Sequence, residues 1–110
     1  MAGHFPHQRL EAFEKALEVA RWVHHVRDKI PADLRRQLTR ATESVALNLA
    51  EGAGSSGGNR RRHFQLAYGS AAEAHAATAL LAAYGLPGSK QTQETLQRLG
   101  AMISSLARRG

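Results

Sequence analysis

The chain has 110 residues, which is enough for one hydrophobic core but not for two, so we expect a single domain. It has no cysteine, which excludes disulfides and thiolate chemistry. No apolar run approaches the roughly 18 residues of a membrane-spanning helix, so we expect a soluble cytoplasmic protein. Fifteen lysines and arginines against nine acidic residues give a net charge of +6, which favours an anionic partner unless the charge serves solubility alone.

The first predicted helix covers residues 8–30, where apolar side chains recur at spacings of three and four. These positions are Leu10, Phe13, Leu17, Ala20, Val23, Val26 and Ile30. Pro31 ends the helix, because the residue before a proline is driven out of helical geometry, and Asp33 is placed to cap the next helix. We expect residues 1–8 to form a flexible tail and residues 9–108 to form the folded domain.

The second predicted helix covers residues 33–51, and its inner side follows the same periodicity. The inner positions are Leu34, Leu38, Ala41, Val45 and Leu49. Gly52 or Gly54 is then expected to adopt the left-handed conformation that commonly ends a helix.

The third predicted helix begins between residues 56 and 60, continues to about residue 84, and carries two stripes of apolar and small side chains. The first stripe is Phe64, Ala67, Ala71, Ala74, Thr78 and Leu81. The second stripe is Leu66, Ser70, Glu73, Ala77 and Leu80. Two stripes predict contact from more than one side, and Gly69 would permit close approach of a neighbour.

The sequence Gly-Leu-Pro-Gly at residues 85–88 ends the third helix, and Ser89 can cap a fourth. The fourth apolar stripe is Leu96, Leu99, Ile103 and Leu106. Four helices with short links predict an all-α fold, an antiparallel up-and-down four-helix bundle.

Polar residues run beside the apolar stripe of the second helix, which places some of them at a helix–helix seam. Buried polar groups usually satisfy one another, so a structural role is favoured over catalysis. The predicted structural network between the second and third helices comprises Asn48, Glu51, Gly52, Gly69, Ser70 and Glu73.

Residues 52–57 match the letters of the dinucleotide-binding pattern G-x-G-x-x-G, but a predicted helix precedes them where that motif requires a strand. An interhelical turn is therefore the better interpretation. The six histidines show no metal-ligand spacing within a helix. Ser70, Glu73 and either His63 or His75 cannot be arranged on one helix as nucleophile, base and orienting group. We expect no cofactor, no metal site and no catalytic residue.

Three consecutive arginines, Arg60, Arg61 and Arg62, follow the glycine-rich turn. In the first turn of a helix they would oppose the positive end of the helix dipole, an arrangement suited to binding a phosphate. Arg35, Arg36 and Arg40 lie towards the other end of the second helix and predict a separate basic zone. Few aromatic residues interleave with these arginines, so backbone-directed binding of RNA or DNA is favoured over stacking on single strands. A solvated arginine face without a partner is the alternative.

Three segments carry a family resemblance: residues 37–45, the pattern Asn-x-x-Glu-Gly at residues 48–52, and Ala-x-Gly-Ser-x-x-Glu at residues 67–73. With them the chain, from Leu10 to Leu106, resembles the small bacterial four-helix-bundle proteins encoded in intervening sequences of 23S ribosomal RNA genes. The resemblance implies a homo-oligomer, commonly a pentameric ring, without enzymatic activity. It also implies kinship with the accessory variability proteins of diversity-generating retroelements, which bind nucleic acid and a reverse transcriptase.

The chain departs from the family pattern after the turn, where Arg60 stands in place of an apolar residue. This departure predicts a third helix that begins later, near Asn59, and a partner surface that differs there. We expect a non-enzymatic protein that binds nucleic acid, or acts as a scaffold, through an oligomeric arginine-rich surface. The alternative is a protein-interaction module, such as an accessory subunit of a larger complex, that does not bind nucleic acid directly.

Overall fold

The computed structural model describes residues 3–109, which form four α-helices joined by short links. The helices are α1 (Glu11–Val26), α2 (Ala32–Ala53), α3 (Gly57–Ala83) and α4 (Ser89–Arg109), with 3-10 turns at Pro6–Arg9 and Arg27–Lys29. No residue from 3 to 109 lies in a strand. The predicted all-α four-helix bundle is confirmed.

Each helix packs against its neighbours in chain order, and α4 returns to α1, so the four helices form a closed square. The closest packing joins α3 to α2 and to α4, where the small side chains of alanines let the helices approach each other. The short links make consecutive helices run in opposite directions. Among the described helices, none combines the length and the apolar content that crossing a bilayer requires.

The core agrees with the predicted inner stripes on three helices and differs on α1. All six positions of the first predicted stripe of α3 are buried, and so are Leu38, Ala41, Val45 and Leu49 of α2. On α1 the buried line is Ala12, Ala16, Val19, Val23 and Val26. The prediction is confirmed for Val23, Val26 and Ile30. It is wrong for the first half of α1, which meets its neighbours through small alanines, while Phe13 packs only at the edge of the core.

The α2–α3 link differs from the expected left-handed cap. Gly54 follows α2 with φ of −87° and therefore lies outside the left-handed region. The carbonyls at the end of α2 instead accept hydrogen bonds from the Ser55 hydroxyl, which donates to the Glu51 oxygen at 2.7 Å, and from Arg60. α3 begins at Gly57, which has φ of +60°. This start lies within the predicted range of residues 56–60 and two residues before Asn59, so the later start expected from the family pattern is not seen.

The α3–α4 link ends α3 in a Schellman motif. The Gly85 N–H donates to the Ala82 oxygen and the Leu86 N–H to the Leu81 oxygen, both at 3.0 Å, and Gly85 has φ of +85°. Gly88 also has positive φ, and a Cβ there would lie 2.5 Å from Trp22 Nε1. This link therefore depends on glycine at both positions.

The start of α2 differs from the prediction. Asp33 does not cap α2, because Pro31 holds the cap position; Asp33 lies inside the first turn and pairs with Arg36.

In the predicted tail, the 3-10 turn places the centroid of the His7 ring 4.6 Å from that of the Phe13 ring. Flexibility of residues 1–8 stays a prediction, and Met1 and Ala2 lie outside the described residues.

Candidate nucleic-acid interface

Arg60 is held against the end of α2. Its Nη1 donates to the main-chain oxygens of Gly52 at 3.2 Å and Ala53 at 3.4 Å, and its guanidinium carbon lies 4.7 Å from the centroid of the Phe64 ring. A cation near the C-terminus of a helix complements the negative end of the helix dipole, and the ring face adds a cation–π contact. Arg60 therefore joins α2 to α3, which gives a structural role to the arginine that follows the glycine-rich turn.

Arg61 and Arg62 are the exposed members of the arginine run. Because α3 begins at Gly57, all three arginines lie past the first three helical residues, and the Arg60 N–H already donates to the Ser56 oxygen at 3.3 Å. The prediction that they occupy the first turn is therefore wrong. Between residues 3 and 109, ion pairs join Lys15 to Glu18 and Arg36 to Asp33, and neither involves Arg61 or Arg62. Two guanidinium groups thus face solvent unneutralised.

The second predicted basic zone surrounds a groove between α1 and α2, with a volume of about 610 Å³. Arg35, Arg36 and Arg40 line the groove together with Arg27 and His24. Part of this charge is already engaged, since Arg35 Nη1 donates to the Arg27 oxygen at 3.2 Å and Arg36 pairs with Asp33. Arg40 is exposed and forms neither of these contacts.

The two basic zones are separate, as expected. Arg60 lies against Gly52, and Gly52 is about 18 Å along α2 from Arg40 at the α-helical rise of 1.5 Å per residue. A ligand would have to extend along the bundle to meet both zones, which is possible for a nucleic-acid backbone and not for a single phosphate.

The predicted polar network between α2 and α3 forms around two residues, Asn48 and Ser70. Asn48 Nδ2 donates to the Ser44 oxygen at 3.0 Å and to Ser44 Oγ at 3.1 Å, and Ser70 Oγ donates to Ser44 Oγ at 2.7 Å. Asn48 Oδ1 lies 2.9 Å from His63 Nδ1, which must carry the proton because an amide oxygen only accepts. These bonds tie α2 to α3 at two levels.

Three predicted members lie outside this network. Glu51 and Glu73 are exposed, and the described residues supply no ion-pair partner for either. Gly69 is also exposed, and a Cβ added there would meet nothing within 4 Å. Gly52, by contrast, is buried, and a Cβ would lie 2.7 Å from two carbons of the Phe64 ring. Gly52 therefore permits the close approach that was expected at Gly69.

Sequence reasoning missed three residues that complete these arrangements. His63 and Ser44 belong to the polar network, and Arg108 of α4 shares a groove with Arg61. The spacing of His63 and Ser70 on one helix face was a usable signal, since seven residues make about two turns. No sequence pattern connects Arg61 with Arg108, because only the packing of α3 against α4 brings them together.

The described residues contain no cluster of three or more His, Cys, Asp or Glu side chains able to hold a metal ion. The buried polar side chains between residues 3 and 109 all have hydrogen-bond partners, so no unsatisfied group points to a missing ligand in the core. The chemistry available at the surface is that of guanidinium groups, which bind phosphate and carboxylate oxygens.

A family model described as 23S rRNA-intervening sequence protein matches residues 8–108. A comparison with curated proteins gives no match. The matched segment contains both basic zones, the polar network and all four helices except Arg109, the last residue of α4.

Proposed function

We propose that this chain, which belongs to the 23S rRNA-intervening sequence protein family, is a non-enzymatic protein that binds the phosphate backbone of RNA or DNA through its exposed arginines. The observation that carries the proposal is the pair Arg61 and Arg62, exposed and without ion-pair partners among the described residues of a chain with net charge +6. Such charges attract phosphates and release condensed counterions on binding.

The mechanism is electrostatic and tolerant of sequence. Arginine can donate two parallel hydrogen bonds to one phosphate, which positions the backbone without reading the bases. Arg61 and Arg62 supply one contact zone, and Arg40, with the partly engaged Arg35 and Arg36, supplies the second. Arg60 contributes through the local structure of the turn. The test is the salt dependence of RNA and duplex DNA binding, with Arg61 and Arg62 neutralised together and Arg60 left in place.

A homo-oligomer is part of the proposal, and it uses the outer face of α2 and α3. Three leucines are exposed there, Leu47, Leu66 and Leu80. Leu47 retains 67% of its accessible surface, which is high for an aliphatic side chain in the middle of a helix. The second stripe of α3 was expected to be contacted from another side, and a neighbouring copy supplies that contact.

Charge on this face favours a head-to-tail arrangement of copies. Glu51 follows Leu47 by four residues on α2, and Glu73 lies seven residues after Leu66 on α3, so each acid shares a helix face with a leucine. Arg40 and Arg62 lie at the same helical spacings before Leu47 and Leu66, so the face carries exposed charges of both signs, which can pair with opposite charges of the next copy. Head-to-tail contacts generate rings when the rotation closes, and the family resemblance favours five copies.

The second candidate function is a protein-interaction module, and the same exposed leucines favour it. In that case the face that carries Leu47, Leu66 and Leu80, the leucine face, binds another protein, such as the catalytic subunit of a larger complex. The arginines then serve solubility. Binding to free nucleic acid separates the two: a module of this kind captures its partner after nuclease treatment and shows no salt-dependent affinity for RNA or DNA.

A further inference from the structure

A groove runs along the α3–α4 seam, on a different side of the bundle from the leucine face. Its α3 wall carries Arg61, Tyr68 and His75, and its α4 wall carries Gly100, Ser104 and Arg108. Two connected hollows of about 470 and 330 Å³ share Tyr68, Ser104 and Arg108. From Arg61 to His75 the groove is about 21 Å long, at 1.5 Å per helical residue. We refer to it as the Tyr68 groove.

Tyr68 lies in the middle of this groove with an open ring. Its side chain is 48% exposed, although the ring is among the largest apolar groups on α3. Small residues surround it: Ala71, Ala72 and Ala101 line the same hollow, and a Cβ at Gly100 would lie 3.8 Å from Tyr68 Cε1. Because Tyr68 keeps about half of its surface exposed among these small residues, part of its aromatic surface is available for stacking.

Two arginines lie at one end of the Tyr68 groove, and no acidic side chain lines it. Arg108 Nη1 donates to Ser104 Oγ at 2.9 Å, which holds the guanidinium over the α4 wall, and Arg61 faces it from α3. No aspartate or glutamate is among the residues that line either hollow. His75 and the amides of Gln65 and Gln97 add hydrogen-bonding groups along the walls. A positive groove with an aromatic centre is complementary to a strand that carries both phosphates and bases.

We propose that the Tyr68 groove holds an unpaired segment of nucleic acid, with one base stacked on Tyr68 and the flanking phosphates bound by Arg61 and Arg108. The inference rests on the proposed function and narrows its ligand to single strands, loops or bulges. Unpaired bases are the part of RNA that can stack on aromatic side chains, whereas bases in a duplex stay stacked on one another.

This site was not expected from the sequence, where few aromatics interleave with the arginines. Tyr68 follows Arg61 by seven residues, which places both on one face of α3, and Arg108 joins them from α4. The stacking surface is therefore built across two helices. It uses one member of the arginine run and leaves Arg62 to contact the backbone elsewhere.

The test compares Tyr68→Ala and Tyr68→Phe in the full chain by fluorescence anisotropy with a labelled 12-nucleotide RNA of mixed sequence. Loss of one base–aromatic stack weakens binding by about 5- to 140-fold, so we expect that loss for Tyr68→Ala and a change within about twofold for Tyr68→Phe. Tyr84→Ala is the matched control, because Tyr84 is a more exposed tyrosine at the far end of α3. Duplex RNA of the same sequence should lose little affinity in any of these variants.

A second variant blocks the ring without removing it. Gly100→Leu fills the space beside Tyr68, and leucine has a higher helix propensity than glycine, so lost binding cannot be assigned to a weakened helix. We expect the same loss as for Tyr68→Ala. If both variants bind the single strand as tightly as the native chain, and this binding still depends on salt, the proposal for the Tyr68 groove is overturned and the proposed function stands. Absence of nucleic-acid binding in the native protein overturns both.

Discussion

The guanidinium of Arg60 lies over the ring of Phe64, 4.7 Å from its centroid, while its Nη1 donates to the carbonyls that end α2. This contact divides the three consecutive arginines into one structural residue and two exposed ones. It also explains how a cation can follow the glycine-rich turn without exposing Phe64, which is fully buried.

Arg60→Ala should therefore lower stability while Arg61→Ala should not. The first variant loses hydrogen bonds to two carbonyls and a cation–π contact, at about 1–2 kcal/mol of unfolding free energy in a partly buried position. Arg61→Ala removes an exposed side chain and should stay within about 0.5 kcal/mol. Urea denaturation at one protein concentration measures both, and equal stabilities would contradict the structural role of Arg60.

Two glycines provide a matched pair of substitutions with opposite signs. In Gly52→Ala the new Cβ lies 2.7 Å from the Phe64 ring, so the buried ring must shift, and overpacking of this kind costs about 1–3 kcal/mol. In Gly69→Ala the new Cβ meets nothing within 4 Å, and alanine gains about 0.8–1 kcal/mol of helix propensity. Thermal melts of the two variants should move in opposite directions; a melting temperature raised by Gly52→Ala would contradict the close contact.

The sequence predicted the four helices and most of the core, because these depend on local periodicity. Phe64, Ala67 and Ala71 recur at helical spacing and are buried as expected. The first half of the buried line of α1 was placed one position too far along, whereas Val23 and Val26 are buried as predicted. Periodicity alone does not show that Ala12 and Ala16 let the helices approach more closely than Phe13 and Leu17 do. Arrangements between helices, such as Arg60 against the end of α2 or Tyr68 and Arg108 lining one groove, leave no periodic signal.

The Asn48–His63 bond can be tested by a double-mutant cycle. Asn48→Ala removes the acceptor of His63 Nδ1 and the donor to Ser44, so we expect it to cost about 1–3 kcal/mol. The coupling energy between Asn48→Ala and His63→Ala should be about 0.5–3 kcal/mol, as for residues in direct contact. The control cycle pairs Glu51→Ala with His63→Ala and should be additive. Additivity in the first cycle would exclude the bond from the network.

The leucine face predicts which substitutions dissociate the oligomer. Leu47→Glu with Leu66→Glu places carboxylates in the proposed contact between copies, and we expect the species seen by sedimentation velocity to shift to the 11.9 kDa monomer. Phe5→Ser removes an equally exposed apolar side chain from outside this face and should leave the mass unchanged. A native protein that is monomeric at micromolar concentration contradicts the assembly.

The central claim is tested most directly by the affinity for nucleic acid across a salt series. The measurement compares the native chain, the variant Arg61→Ala/Arg62→Ala, and the control Arg21→Ala/Arg98→Ala. The control has the same net charge as the Arg61/Arg62 variant but loses exposed arginines from α1 and α4. We predict that log affinity for duplex DNA falls linearly with log salt, and that each lost phosphate contact makes the slope shallower by about 0.9. The Arg61/Arg62 variant should therefore show the weaker binding and the shallower slope, while the control stays close to the native chain. Affinities that are equal in all three proteins and insensitive to salt would contradict the account.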